Sequence, residues 1–271
     1  MTTVLLGAAL AVLLTMNAMF VVGMYKNDNS LIDIAYGPAF VIVGLAAWLA
    51  GGMTDHFRPL LMLGLVCLWG LRLGLHIGLR HRGRGEDFRY RNFRESWGET
   101  FVWRSFLQIY MLQGAVILVV GTPMLLAIAE PGAEAGWTDF LGLLLFAVGF
   151  FFEAVGDWQL GRFKKDPANK GRVMTLGLWR FTRHPNYFGE ATLWWGFFFL
   201  GLGSPLGLWG LVSPLLIGFL LLKVSGVPML EAKYVGNPEF EAYRRATSAF
   251  FPLPPRRAVR DDVSPDSGDR P

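Results

Sequence analysis

The sequence predicts an all-α integral membrane protein, built as a bundle of about seven transmembrane helices. Hydrophobic residues make up 53% of the 271 residues, and the mean hydropathy is +0.38, which is too high for a soluble domain with a polar surface. Apolar stretches of about 20 residues, the length that crosses a bilayer, recur along the chain. Lys and Arg collect in alternate loops between these stretches, a pattern typical of multi-pass membrane proteins.

Seven apolar stretches account for the predicted helices in turn. They cover approximately residues 4–25, 31–50, 59–79, 102–129, 138–160, 185–202 and 206–224. The first stretch has neither a basic segment before it nor a small-residue cleavage site after it, so we expect a retained helix rather than a signal peptide. We expect one membrane domain over residues 1–252. Residues 253–271 are rich in Pro, Arg, Asp and Ser, and we expect this tail to be disordered.

The loop charges predict the side of the membrane on which each terminus lies. Basic residues follow the third, fifth and seventh spans, whereas the alternate loops carry almost none. The basic residues are Arg80, Arg82, Arg84, Arg89, Arg91, Arg94, Arg162, Lys164, Lys165, Lys170, Arg172, Arg180, Arg183, Lys233, Arg244, Arg245, Arg256 and Arg257. Because positive loops stay in the cytoplasm, we expect the N-terminus outside and the C-terminus in the cytoplasm, in a bacterial inner membrane or its equivalent.

Several classes of protein are disfavoured by the same composition. The net charge of +4 comes from loop residues that alternate with apolar spans, so we expect no nucleic-acid surface. The one cysteine, Cys67, excludes an internal disulfide framework. The chain has neither a Gly-x-Gly-x-x-Gly fingerprint nor a P-loop, so a nucleotide would not be bound in a Rossmann or Walker geometry. We assign no metal ligands.

The stretch from residue 177 to residue 195 carries the densest group of candidate functional residues. Pro185 is suited to the first turn of a helix, since that position needs no N–H. Asn186 and Glu190 are four residues apart and therefore share one helical face. Arg183 and His184 precede the helix start, where free backbone N–H groups favour an anion. Polar groups at the mouth of a membrane helix are usually functional, although Arg and His at this position can also be anchors at the head groups.

Ionisable residues also occur inside other predicted spans. They are Asp33 in the second, Arg72 and His76 in the third, and Glu153 and Asp157 in the fifth. Such residues normally face the bundle interior and pair with each other or with a ligand. For Arg72 and His76, structural pairing and ligand binding are equally plausible, whereas Glu153, Asp157 and Glu190 together favour a functional site.

A family resemblance rests on these residues. Residues 183–187 read Arg-His-Pro-Asn-Tyr and are followed by Gly189 and Glu190. This pattern resembles the C-terminal signature of the membrane steroid 5α-reductase superfamily, which includes the DUF1295 proteins of unassigned function. Sterol C14 reductases and isoprenylcysteine carboxyl methyltransferases share a looser form of it. The resemblance covers roughly residues 141–252.

The resemblance implies an NADPH site in the cytoplasmic part of the bundle. Asp157 and Lys164 resemble cofactor-binding positions of the reductases, as do Arg172, Asn186 and Glu190. Guanidinium and ammonium groups suit the phosphates, and an amide with a carboxylate suits the nicotinamide carboxamide. The full expected cofactor set is Glu153, Asp157, Lys164, Arg172, Arg183, His184, Asn186, Tyr187, Glu190 and Glu231.

The substrate half of the site departs from the family pattern. Steroid 5α-reductases use a Tyr in the third span and a Glu in the second span on the enone carbonyl. Asp33 could stand at the place of that Glu, but Gly70 stands at the place of the Tyr. Tyr36, one turn from Asp33, is the expected catalytic acid, with Tyr110 as the next candidate. Alternatively, Tyr36 is an interfacial anchor and Asp33 a helix-end charge.

The expected function is NADPH-dependent reduction of an activated C=C bond in a lipid-soluble substrate, such as a steroid-like or other enone. The first alternative is a membrane methyltransferase that uses S-adenosylmethionine. Such enzymes usually carry an acidic pair in the C-terminal helix, whereas this chain has the single Glu231 there. The second alternative is a non-enzymatic lipid-binding membrane protein, which the presence of Asp157, Asn186 and Glu190 disfavours. Membrane lipids are expected partners in every case.

Overall fold

The computed structural model describes residues 1–132 and 134–256, and these ranges contain helices and loops but no strand. The α-helices are α1 (Thr2–Lys26), α2 (Leu31–Ala50), α3 (Phe57–His81), α4 (Phe88–Trp97), α5 (Phe101–Ser105), α6 (Leu112–Val120), α7 (Thr122–Ala129), α8 (Trp137–Lys165), α9 (Pro185–Gly201), α10 (Val212–Phe219), α11 (Val227–Glu231) and α12 (Pro238–Ala246). The all-α prediction is confirmed. The disordered tail was predicted over residues 253–271, and its residues 257–271 lie outside the described ranges.

Within the described ranges, six helical segments are long and apolar enough to cross a membrane. They are Thr2–Lys26, Leu31–Ala50, Phe57–His81, Phe88–Val120, Trp137–Lys165 and Gly207–Tyr234. The 17-residue α9 adds a seventh apolar helix, so the prediction of about seven spans is confirmed. Helix α8 continues to Lys165, past the predicted end near residue 160, because cations in a last turn interact favourably with the negative end of the helix dipole.

The charged stretch between the third and fourth predicted spans, residues 80–99, was expected to be a loop but contains helix α4. Asp87 caps this helix by accepting a hydrogen bond of 3.0 Å from the backbone N–H of Arg89. Gly98 ends it with a φ of +49°, a left-handed conformation that glycine adopts without strain. The segment forms a separate helix because Asp87 caps its N-terminus and Gly98 ends it.

The predicted fourth span, over residues 102–129, is interrupted. A π-helical turn at Phe106–Met111 joins α5 to α6. A second break follows at Gly121, after which α7 starts with Pro123 in its first turn. Proline has no N–H to bond to the preceding turn, so it starts a helix more readily than it continues one.

The described chain forms two compact units, Met1–Phe150 with Glu190–Leu220, and Phe151–Gly189 with the chain from Leu221 onward. The single domain expected over residues 1–252 stays a prediction. In the first unit, α2 packs against both α1 and α3. The α2–α3 approach depends on Gly37 and Gly70, since a Cβ atom on Gly37 would lie 2.3 Å from the carbonyl oxygen of Gly70.

A buried ion pair in the first unit holds the start of α3 against the start of α8. The Arg58 guanidinium donates two hydrogen bonds of 2.8 Å to the Asp139 carboxylate. It also donates to the carbonyl of Pro131 at 2.7 Å. Both charged side chains are buried, and the loop before α8 is thereby tied to α3.

The second unit is held by pairing between the loop before α9 and the C-terminal segment. The backbone N–H of Arg183 donates to the carbonyl of Ser248 at 2.9 Å, and that of Leu253 donates to the carbonyl of Phe181 at 2.9 Å. The hydroxyl of Thr182 donates to the carbonyl of Phe250 at 2.8 Å. These bonds fix the residues that precede Pro185.

Candidate functional site

The predicted cofactor residues Asp157 and Asn186 contact one another in the second unit. The side-chain amide of Asn186 donates a hydrogen bond of 3.1 Å to Asp157 Oδ1. The Oδ1 atom of Asn186 is buried and has no hydrogen-bond partner among the residues that the structure describes. An amide that is fixed through its nitrogen thus presents an acceptor atom that a ligand N–H could satisfy.

The close approach of α8 and α9 at this point depends on Gly156. A Cβ atom there would lie 3.2 Å from the backbone nitrogen of Asn186 and from Pro185 Cγ. The carbonyl of Gly156 accepts a hydrogen bond of 3.1 Å from the indole of Trp179. A small residue next to Asp157 therefore sets the distance at which the carboxylate meets Asn186.

Glu231 clamps the two residues that precede α9. Its carboxylate accepts hydrogen bonds from Arg183 at 2.8 and 3.2 Å and lies 3.0 Å from His184 Nε2. The Arg183 guanidinium also donates to the backbone carbonyls of Arg244 and Thr247. Arg183 thus joins the start of α9 to the C-terminal segment.

His184 keeps one ring nitrogen available. Because the carboxylate of Glu231 can only accept, Nε2 of His184 carries the proton in this bond. Its Nδ1 atom is buried and unpartnered within the described part of the chain. The ring stacks on Tyr187 with 5.6 Å between centroids. His184 therefore offers a second unsatisfied polar atom in the unit that contains Asn186.

The loop before α9 is further fixed by Tyr243. Its hydroxyl donates to the carbonyl of Trp179. Burial raises the pKa of Tyr243 well above its usual value, and the nearby Arg183 opposes this shift. The hydroxyl consequently stays a neutral donor across physiological pH.

The other predicted cofactor residues differ in their exposure. Glu153 is buried in α8, whereas Lys164 and Arg172 are exposed. Glu190 is half-buried on α9, in the part of this helix that belongs to the first unit. The structure thus brings Asp157 to Asn186, and Glu231 to Arg183 and His184.

The predicted catalytic residue Asp33 lies in the first turn of α2 and pairs with a tyrosine that the sequence analysis missed. The hydroxyl of Tyr90 donates to Asp33 Oδ1 at 2.6 Å. Arg89 donates to Asp33 Oδ2 at 2.7 Å and to Asp87 at 2.9 Å. Tyr90 was missed because residues 80–99 were taken for a loop. The helix-capping Asp87 was the signal that could have placed it on a helix.

Tyr36 and Tyr110, the two candidate catalytic acids of the sequence analysis, have different neighbours from Tyr90. Tyr36 packs edge-on against Phe40 and Trp69, with centroid separations of 5.2 and 6.4 Å. Tyr110 is fully buried, and its hydroxyl donates to Asn29 at 2.9 Å. Tyr110 therefore contributes to a polar contact inside the first unit.

These helices and polar pairs define a multi-pass membrane protein with ionisable groups in its apolar segments. Residues 19–247 match the family model described as "Protein of unknown function (DUF1295)". The match covers most of the chain, which therefore belongs to this family.

Two curated proteins are similar to the chain. An uncharacterized protein of Schizosaccharomyces pombe is 25% identical over 216 residues, covering 68% of this chain and 61% of that protein. A probable O-methyltransferase of Ustilaginoidea virens is 45% identical over 70 residues, covering 25% of this chain and 24% of that protein. The chain thus spans less than two thirds of either relative's length. No solved structure matches it.

Proposed function

We propose that this protein is an NADPH-dependent reductase of an activated C=C bond in a lipid-soluble substrate. The observation that carries the proposal is the hydrogen bond between Asp157 and Asn186. The family resemblance assigns both residues to one cofactor site, although they are 29 residues apart in the chain. Their contact supports that assignment.

The polar atoms of the second unit fit the cofactor. The unpartnered Oδ1 of Asn186 can accept from a carboxamide N–H, and the exposed cations Lys164 and Arg172 suit phosphate oxygens. When bound, NADPH supplies the hydride. The protein's own contribution is to hold the amide of Asn186 in place through Asp157, and the loop before α9 through Glu231.

The polarising acid is the second part of the proposal, and Tyr90 takes the role first given to Tyr36. A phenol that donates to the oxygen of a conjugated carbonyl stabilises the charge that develops there. The Tyr90 hydroxyl donates its one proton to Asp33 at 2.6 Å, and Arg89 donates to the other carboxylate oxygen. A substrate carbonyl therefore has to replace Asp33 as the acceptor of this proton. This arrangement orients the hydroxyl without placing an uncompensated carboxylate beside it.

A second candidate function is methyl transfer from S-adenosylmethionine. It is favoured by the 45% identity to a probable O-methyltransferase over 70 residues. The two functions differ in the cofactor bound and in the need for an acid such as Tyr90. The deciding experiment exposes the purified protein in detergent to NADPH and S-adenosylmethionine separately. We then follow NADPH oxidation on a panel of steroid, isoprenoid and fatty-acyl enones, and methyl transfer on the same skeletons bearing carboxyl or hydroxyl groups. Methyl transfer without enone reduction would overturn the reductase proposal.

A further inference from the structure

A groove of about 260 Å³ lies along α8 near its C-terminal end. Trp158, Arg162 and Phe163 line it from the helix, while Met174 and Leu176 line it from the following loop. Trp158 and Leu176 leave 59% and 68% of their surfaces exposed. The groove is therefore open to the surroundings and is separate from the buried Asp157 carboxylate.

The groove lies at the depth of a membrane interface. Helix α8 has 29 residues and carries exposed tryptophans, Trp137 and Trp158, toward its two ends. At about 1.5 Å per residue, the two tryptophans are roughly 30 Å apart, which is the thickness of the hydrocarbon core. Tryptophans at this spacing mark both interfaces of a bilayer, so residues after Trp158 reach the level of the head groups.

The cations near the groove suit an anionic group at the depth of the lipid head groups. The Arg162 guanidinium lies 5.8 Å from the centroid of the Trp158 ring. The last turn of α8 carries Lys164 and Lys165 beside it. A guanidinium donates to two phosphate oxygens at once, and an anion gains from several cations at a membrane surface.

The loop that forms the side of the groove opposite α8 is held in a fixed conformation. Gly177 has a φ of +63°, and a Cβ atom there would lie 2.5 Å from the Gln159 side chain. Gln159 Oε1 in turn accepts a hydrogen bond of 2.9 Å from the backbone N–H of Leu178. The loop is thus fixed on α8, and Leu176 is held as an apolar wall.

We propose that this groove binds one anionic phospholipid, with the phosphate on Arg162 and the first part of an acyl chain along Trp158 and Leu176. The volume is below the roughly 300–1,000 Å³ of pockets that enclose whole small ligands. It is therefore better suited to part of a long lipid than to a complete dinucleotide. This site does not depend on the reductase proposal.

The test measures lipid binding by native mass spectrometry of the detergent-purified protein, titrated with phosphatidylglycerol and phosphatidylcholine. We expect the wild type to bind phosphatidylglycerol more tightly than phosphatidylcholine. In Arg162→Gln the ratio of the two affinities should fall about fivefold, because one cation at a membrane surface is lost. Arg162→Lys keeps the charge and should keep most of the preference. Lys165→Gln removes a cation of the same turn that does not line the groove and should lower the preference less than Arg162→Gln does. Trp158→Ala should weaken the binding of both lipids.

Three outcomes of the binding titrations would overturn the assignment. They are equal binding of the two lipids by the wild type, an unchanged preference in Arg162→Gln, and binding of glycerol phosphate as tightly as phosphatidylglycerol. Displacement of the lipid by NADPH would equally contradict it, because the groove would then belong to the cofactor site. Size-exclusion elution at the wild-type position shows that each variant is folded.

Discussion

The Tyr90 hydroxyl and the Asp33 carboxylate are joined by a hydrogen bond of 2.6 Å. Tyr90 itself is buried, and the bond ties α4, which precedes the interrupted fourth span, to the first turn of α2. A buried phenol that donates its single proton to a carboxylate can polarise a carbonyl oxygen once that oxygen replaces the carboxylate as the acceptor. The pair therefore becomes the centre of the catalytic hypothesis.

Tyr90→Phe tests this role. Loss of one oxyanion donor lowers turnover by roughly 10²–10³-fold, and we expect this loss for the enone that the wild type reduces. NADPH affinity should stay near normal, because Tyr90 is assigned to the substrate. Steady-state NADPH oxidation, combined with equilibrium NADPH binding, measures both effects. Tyr36→Phe is the matched control, and the proposal fails when that variant loses turnover while Tyr90→Phe keeps it.

The Glu231 clamp predicts a large loss of stability on removal of its carboxylate. Glu231→Ala leaves the buried Arg183 without its carboxylate partner. Breaking a fully buried pair costs about 3–5 kcal/mol, and because Glu231 is only partly buried we expect a loss near the lower end of this range. The melting temperature in detergent should fall clearly. Glu241→Ala is the control, since its contact with Arg244 is exposed and 3.5 Å long, and exposed pairs contribute about 0–1 kcal/mol. Equal melting temperatures for the two variants would show that Glu231 contributes no more to stability than the exposed Glu241.

The Arg58–Asp139 pair makes a different prediction, because both partners are buried. Arg58→Met and Asp139→Leu should each destabilise the protein by about 3–5 kcal/mol by leaving one buried charge unpaired. The double variant should recover much of this loss, since a packed apolar pair can replace a buried ion pair. Thermal unfolding of the four proteins forms a double-mutant cycle. Additive losses would mean that the two side chains do not act as a pair.

The loop charges predict orientation independently of any site. A reporter fused after Arg257 should be active only in the cytoplasm, and one inserted near Ala133 only outside, because Lys and Arg stay on the cytoplasmic side. Alkaline phosphatase and a fluorescent protein at each position provide matched readouts. Activity of both fusions on the same side would contradict the three spans expected between the two positions, and with them the seven-span topology.

Much of the helical architecture could be read from the sequence, because apolar length determines whether a segment can cross a membrane. The second span was placed at residues 31–50 and α9 at Pro185, both as observed. Helix α4 was missed, since its charged residues resemble a loop when its cap at Asp87 is not weighed. A proline and a glycine likewise divide the predicted fourth span at Gly121.

The site was predictable only in part, for a physical reason. Helical spacing predicts which residues share one face of a helix, and it correctly predicted that Asn186 lies on α9. It cannot show which distant residues meet, and the Tyr90–Asp33 and Arg183–Glu231 contacts bridge 57 and 48 positions of the chain. Such pairs are products of packing, so they appear only in the folded structure.

The central claim is that Asp157 and Asn186 form one cofactor site, and equilibrium NADPH binding to the purified protein tests it most directly. We expect NADPH to bind more tightly than S-adenosylmethionine. Asp157→Ala and Asn186→Ala should each weaken NADPH binding by about 0.5–1.5 kcal/mol, the net contribution of one hydrogen bond between neutral groups. Asn169→Ala, which removes an amide bonded to the Phe163 carbonyl at 3.0 Å, should leave the affinity unchanged. Wild-type affinity in both Asp157→Ala and Asn186→Ala, or tighter binding of S-adenosylmethionine than of NADPH, would contradict the account.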